Sequence, residues 1–274
     1  LFSRTAGFYD HEIEQSLRFN DNDSAYLTRT PASAGSLTTW TWSGWVKRGN
    51  LGITATLFSS ATTNDDIYFG SGASNLVFYT QNNYWGSTAA SFRDTSAWYH
   101  VVCVWDTTNA TAADRLIIYV NNERQSLAYG ANPALNATSG FNNNVAQTIG
   151  RAEAPSNGYF DGYLAEVNFI DGQALDPTSF GETKSGIWIP KDTSGLTFGT
   201  NGFRLAYADS AAIGDDTSGN TNDWTANNLA ASDVVLDSPT NNFGVMSSID
   251  KGDGTATYSE GNLKVSVGDN EEAF

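Results

Sequence analysis

The sequence predicts an all-β protein, a two-sheet jelly-roll sandwich with an extended N-terminal arm and an extended C-terminal segment. Three observations lead there. At least eleven short apolar runs recur along 274 residues, separated by Gly- and Asn-rich turn signals, the spacing of a sandwich or barrel and not of βαβ units. Charged residues are only 16% of the chain, and good helix formers never gather into a continuous run. Two runs, "VVCV" and "LIIYV", are apolar at nearly every position, as central strands covered on both faces are.

The elements follow in order. Residues 1–14, "LFSRTAGFYDHEIE", show neither alternation nor a helical face and read as an arm. Strands are then predicted at "QSLRF", "TWTWSGWVK", "ATLFSS", "DIYFG", "NLVFYT", "WYHVVCVWD", "RLIIYVNN", "QTIG", "YLAEVNFID", "GIWIP" and "GFRLAYAD". In "TTWTWSGWVKRGN", period-two alternation puts Trp40, Trp42, Gly44 and Val46 on one face and Ser43, Trp45 and Lys47 on the other. A bulge at Gly44 would reverse that assignment. "DPTSFGE" is the one plausible helical turn, with Asp176 as cap and Pro177 at its first position. Residues 15–210 therefore form the sandwich. Residues 211–242 are an Asn/Asp/Gly-rich linker or rim-wrapping segment. Residues 243–274, with "GTATYSEGNLKVSVG", open a further β module or a packed hairpin.

The formal charge of −16 and a pI near 4.2 disfavour phosphate backbones and anionic lipid surfaces as partners, and leave divalent cations and neutral glycans. No run approaches the 18 apolar residues of a membrane span. The single cysteine, Cys103, lies inside an apolar run and reads as a buried hydrophobe, so the fold rests on burial without a disulfide. The chain opens on Leu with no basic-then-apolar signal, as expected of a processed or excised piece.

Four pieces, in order, resemble the laminin-G/pentraxin-like branch of the concanavalin A-like lectin and glucanase sandwiches. They are "SLRFNDNDSAYL" (16–27), "TWTWSGWVKRG" (39–49), "AWYHVVCVWD" with "RLIIYVNN" (97–122), and "TIGR…YFDGYLAEVNFIDGQALDPTSF" (148–180). The string "YAD…IGDDTSGNTNDWTANN…VLDSPTNNF" resembles the segment that links such a sandwich to a SPRY-type module in predicted structural proteins of marine bacteriophages.

The glucanase branch carries Glu-x-Asp-x-x-Glu on one strand. Here "EVNFID" offers Glu166, Asn168 and Asp171, and the amide at the central position argues against a hydrolase; Glu166 reads as a structural or metal-rim carboxylate. His11 and His100 lack a nucleophile elbow, and His100 reads as packed. The resemblance implies a calcium ion at the sandwich rim, held by oxygen ligands. One candidate set is Asp21 and Asp23 with Asp161. The other is "DDTSGNTND", with Asp215, Asp216, Asn220, Asn222 and Asp223, residue types that equally build Asx-turns. For a glycan, "QNNYWGS" offers Gln81, Asn82, Asn83, Tyr84 and Trp85, unless Trp85 folds back as a plug; Trp45 joins this set if its face is open.

The expectation is a non-enzymatic structural protein of a bacteriophage fibre, appendage or capsid surface. It would pair with its own copies, in a trimer as fibres do, and with other virion proteins, and attach to host-surface glycan. It would sit on the virion surface, without nucleic acid or membrane insertion. A secreted carbohydrate-binding lectin and a divergent glycan hydrolase are the alternatives.

Overall fold

The structure, a computed structural model, describes residues 7–62, 64–128, 130–153, 156–247 and 256–266. Expectations for the first six residues of the arm and for 248–255 and 267–274 lie outside the described residues. Each of the eleven predicted runs carries a strand, and further strands outside those runs join them. The first ten are β1 (Ser16–Phe19), β2 (Tyr26–Arg29), β3 (Thr39–Arg48), β4 (Ala55–Ser60), β5 (Asp65–Phe69), β6 (Leu76–Thr80), β7 (Asn83–Thr88), β8 (Trp98–Asp106), β9 (Leu116–Val120) and β10 (Glu123–Arg124). The rest are β11 (Leu127–Ala128), β12 (Gln147–Ile149), β13 (Gly162–Asp171), β14 (Gly181–Lys184), β15 (Ile187–Pro190), β16 (Phe203–Leu205), β17 (Thr225–Asn227), β18 (Val234–Val235), β19 (Thr257–Ser259) and β20 (Lys264–Ser266).

Sixteen of them pair into two large antiparallel sheets, while β14–β15 and β19–β20 form two-stranded sheets of their own. The first runs β10-β9-β8-β3-β13-β1-β18, with β16 also on β13; the second runs β11-β7-β6-β5-β4-β12-β2-β17. No α-helix occurs among the described residues, and no helix is long and apolar enough to cross a membrane. The turn at Pro177–Ser179 is a 3-10 turn, and the Asp176 side chain accepts from the Thr178 amide as its cap. Residues 211–242 bind both sheets at their edges: β17 pairs with β2, β18 pairs with β1, and Trp224 enters the core between them.

The core between the sheets takes Trp40, Trp42 and Val46 from β3, as the alternation requires, together with Phe58, Phe78, Trp105 and Phe169. Gly44 leaves room for the Trp42 ring, which a Cβ would meet at 2.9 Å. β3 pairs with β8 without interruption, so no bulge reverses the faces of its tryptophans. The irregularity lies on β13 between Ala165 and Asn168, where Glu166 takes a positive φ of 45°.

The opposite side of the first sheet is covered as well. Trp45 packs there with Ile13 of the arm, Trp98, Tyr163 and Ala165, and Trp188 of β15 leans on the group. Val102, Val104 and Ile170 meet Phe180 and Phe198. His100 lies in this layer, stacked on Trp45 at 4.7 Å. Its Nδ1 accepts from the Trp188 indole at 3.1 Å, which leaves Nε2–H to donate to the Ser43 hydroxyl at 2.9 Å. Burial pushes this imidazole down to about 3. In the unfolded chain it titrates near 6.5, so between these values the unfolded state binds a proton that the folded state refuses, and stability rises with pH across that window. Urea midpoints measured from pH 4 to 7 are therefore expected to fall more steeply with acid in the wild type than in His100→Gln; equal slopes would remove this contribution.

Candidate functional site

With the first sheet covered on both sides, a ligand surface has to come from the outer face of the second sheet or from the rim. Tyr68 on β5, Tyr79 on β6 and Tyr84 on β7 stand side by side on that outer face. Tyr68 and Tyr79 stack at 6.5 Å, and Tyr79 and Tyr84 lie 5.3 Å apart. All three are half-buried. Their alignment follows from register, since Tyr79 is opposite Tyr84 on one side and Asp66 on the other. Asp66 is pushed up to about 6 by burial first, against the lowering effect of the Ser59 hydroxyl, and by neighbouring Asp65. Its Oδ1 is buried with no hydrogen-bond partner. A row of aromatic faces thus ends beside a carboxyl with spare hydrogen-bonding capacity.

Of the glycan-binding residues expected from sequence, Gln81, Asn82 and Asn83 are exposed at the tip beside this row. Gln81 and Asn82 take φ of 48° and 60°, the left-handed turn that joins β6 to β7. The Asn82 amide oxygen accepts from Asn64 at 2.8 Å, and Gln81 donates to Thr138 at 3.2 Å. Residues 83–88 form a strand and not a loop, so Tyr84 and Trp85 point to opposite faces. Tyr84 joins the row. Trp85 turns inward and meets Trp105 edge-on at 6.0 Å, which is the plug. Trp45 is 5% exposed under the arm and β15, so its ring packs and has no face to offer a sugar. Tyr68, Tyr79 and Asp66 were not singled out from sequence; alternation in "DIYFG" and "NLVFYT" marks their face, but only register brings them together.

At the rim, the Asn20–Ser24 turn and the start of β13 bring Asp21 close enough for its charge to act on Asp161. Asp161 is 1% exposed. Burial first, then the Asp21 charge, pushes its carboxyl up to about 7. Its Oδ1 accepts from the Asn50 amide at 3.1 Å, while its Oδ2 and Asp21 Oδ1 are buried with no partner. Only glycine fits at position 49, where a Cβ would sit 1.8 Å from Asp161 Oδ1. Asp21 also lines an open cleft of about 520 Å³ with Thr54, Ser71, Asn157 and Tyr159. Two orphaned carboxylate oxygens fit a hard cation, which takes oxygen ligands, and they supply two of the roughly six to eight it needs. Among the described residues no group of three or more His, Cys, Asp or Glu could hold a metal. Asp23 stays exposed, its carboxylate accepting from Asn20 at 2.8 Å.

The second expected calcium set is a turn network. Asp216 accepts from the amides of Arg204, Ser218 and Asn222 at 2.8–2.9 Å and from the Ser218 hydroxyl at 2.8 Å. Asp223 accepts from the Asp216 amide at 3.0 Å. Asn220 and Asn222 donate to carbonyls of the 199–202 turn, and Arg29 donates to the Asn222 amide oxygen. Asp215 is exposed. N–H and O–H donors already occupy the Asp216 oxygens, so the Asx-turn reading of "DDTSGNTND" describes it.

The glucanase-like strand is structural too. Glu166 grips Arg204 through both oxygens, at 2.7 and 3.0 Å. Asn168 donates to the Glu166 carbonyl at 2.9 Å. Asp171 accepts from the Ser36 amide, the Asn142 side chain and the Asn201 amide, and so ties three rim loops together.

A laminin G family model of the concanavalin A-like lectin/glucanases superfamily matches residues 20–179, more than half the chain. No curated protein matches the sequence. Among solved structures the chain is similar to the native heptameric SAP-like pentraxin from Limulus polyphemus, with 18% identity over 60% of this chain and 79% of that one, at a TM-score of 0.46. It is similar to a putative carbohydrate binding protein from Bacteroides ovatus, with 16% identity over 79% of this chain and 59% of that one, at 0.49. For domains LG4-5 of the mouse laminin alpha1 chain the figures are 14%, 67% and 47%, at 0.39. The chain thus spans less than two thirds of the last two. With its matched region running from the rim turn at Asn20 through β13 to Ser179, the chain belongs to the concanavalin A-like lectin/glucanases superfamily.

Proposed function

We propose that this chain is a non-catalytic, lectin-type module that holds a neutral glycan on the outer face of its second sheet. The observation that carries the reading is the row Tyr68–Tyr79–Tyr84 ending at Asp66, on the outer face of the second sheet, where the three rings stay half-buried. Sugar rings lay their C–H faces on aromatic rings, and their hydroxyls take the hydrogen bonds that a carboxyl and the amides of Gln81, Asn82 and Asn83 offer. A net charge of −16 works against acidic polysaccharides. Calcium at Asp21 and Asp161 is part of the proposal, as a rim cation that fixes the 20–24 turn and the adjoining cleft. So is a place on a bacteriophage particle, in repeated copies whose weak contacts sum to avidity; its support is the resemblance of the segment after residue 206, and co-sedimentation with particles tests it.

The central test is affinity electrophoresis of the isolated protein through gels cast with neutral polysaccharides. Retardation is expected for the wild type, and an approximately tenfold weaker interaction for Tyr79→Ala, the loss of about one aromatic stack. Chelator is expected to lower the melting temperature of the wild type but not of Asp161→Asn. Equal retardation of wild type and Tyr79→Ala, or retardation by polyanions alone, would overturn the glycan reading.

A further inference from the structure

Lys47 stands near the end of β3, on the covered side of the first sheet, and its side chain is fully buried. Its Nζ lies 2.8 Å from Asp237 Oδ2, 2.7 Å from Asn242 Oδ1 and 2.6 Å from the Phe243 carbonyl. The Tyr163 ring is 5.7 Å from the same nitrogen. The Trp98 indole donates to the other Asp237 oxygen at 3.1 Å, and Asn242 Nδ2 donates to the Ser96 carbonyl at 2.8 Å. An amine, a carboxylate and a carboxamide therefore meet against aromatic walls, on segments 190 and 195 positions apart in the chain.

We propose that Lys47 and Asn242 join in an intramolecular isopeptide bond that the folded protein forms by itself, with Asp237 as the proton carrier. Asp237 takes one proton from the Lys47 ammonium, which frees the lone pair of Nζ beside the Asn242 carboxamide. The amine attacks the side-chain carbonyl carbon; the Nζ–C bond forms and the C–Nδ2 bond breaks. Asp237 gives that proton to the departing nitrogen, then takes the second proton that Nζ sheds as the amide forms and passes it on as well, so the nitrogen leaves as ammonium. Ammonium plus carboxamide thus become a secondary amide plus one ammonium ion, with charge and hydrogens balanced and no oxidant needed.

The geometry favours each part of the step. The amine and amide are held together by the fold, and such positioning is worth effective molarities of about 10⁵–10⁸ M for well-oriented groups. The carboxylate that must move the proton already touches the amine. Lys47 is sealed from water, whereas Asn242 reaches the surface and gives ammonia a way out. The product would staple the 236–243 strap to β3, in a chain whose one cysteine has no partner for a disulfide. It is independent of the glycan reading.

Intact-mass measurement of the purified full chain tests the proposal. The wild type is expected to be lighter than its sequence by one ammonia, about 17 Da. Its tryptic digest should contain a branched peptide joining the segments of Lys47 and Asn242, uncut after Lys47. Asn242→Ala, Lys47→Arg and Asp237→Asn should all keep their full mass. A wild-type chain of full mass that melts cooperatively overturns the proposal and leaves Lys47 as a buried ion pair only. A mass loss that persists in Lys47→Arg, as from a succinimide at another asparagine, overturns it equally.

Discussion

Replacing Trp40 with alanine is expected to destabilise the protein by about 3–5 kcal/mol, the range for deleting a large buried ring. Trp40 is fully buried at the centre of the aromatic core. Its ring lies 5.2 Å from Phe141, 5.6 Å from Phe169, 6.1 Å from Phe78 and 6.4 Å from Trp105, so four rings lose a neighbour at once. The surrounding sheets are cross-paired on both sides and have little freedom to collapse into the space. A polar cost adds to the cavity. Trp40 Nε1 donates to the Ser139 hydroxyl at 2.8 Å, and Ser139 in turn donates to the Phe141 carbonyl at 3.2 Å, both within the buried layer. Trp40→Phe keeps most of the packing and loses that hydrogen bond, so its cost should be about 1–3 kcal/mol. Urea melts monitored by fluorescence and by circular dichroism check both values. A loss under about 1 kcal/mol for Trp40→Ala would mean that the core repacks freely, against the close packing expected of protein interiors.

The second large effect is expected at Glu166. Glu166→Gln should cost about 3–5 kcal/mol, because it leaves the Arg204 guanidinium largely buried without its counter-charge. The two side chains are 7% and 12% exposed. Burial pushes the Glu166 carboxyl up, but His11 and Arg204 outweigh it and hold the group below its usual range. A depressed carboxyl stabilises above its unfolded value and loses that contribution as acid protonates it, so the wild type should lose this stability at low pH and the Gln variant should not. The double variant Glu166→Gln with Arg204→Met removes both charges and should be less destabilised than the sum of its parts. Additive losses in the cycle would show that the pair acts only through separate contacts. The same experiment bears on chemistry: a catalytic carboxylate would sit free in a cleft, whereas this one is clamped.

The strands, the short turn at Asp176–Ser179 and the core faces of β3 were legible because each depends on local periodicity. Trp40 and Trp42 follow from the pleat alone, and β3 keeps its register through Gly44. β7 was obscured by its composition: "QNNYWGS" is rich in turn formers, yet the turn occupies only Gln81 and Asn82 and the rest pairs with β6. The 215–223 loop was ambiguous for a chemical reason. A calcium loop and a chain of Asx-turns use the same oxygen-bearing residues, and what separates them is whether backbone N–H groups reach those oxygens first. Asp21 and Asp161 were expected together through family resemblance; 140 positions of chain lie between them, and no spacing rule joins them.

The sequence by itself determined that this chain folds as a sandwich. Period-two runs fix which side chains share a face, Gly and Asn set the turns, and a lone cysteine leaves burial as the means of holding the layers. Which faces stay open was decided only by tertiary structure. The arm, the β14–β15 hairpin and the strap through Asp237 all fold onto the first sheet, so Trp45 is packed and Lys47 is sealed in. On the outer face of the second sheet Tyr68, Tyr79 and Tyr84 stay half-buried and partly open to solvent. Alternation says that a residue points away from the core; whether it then meets water or another segment depends on contacts between residues far apart in the chain.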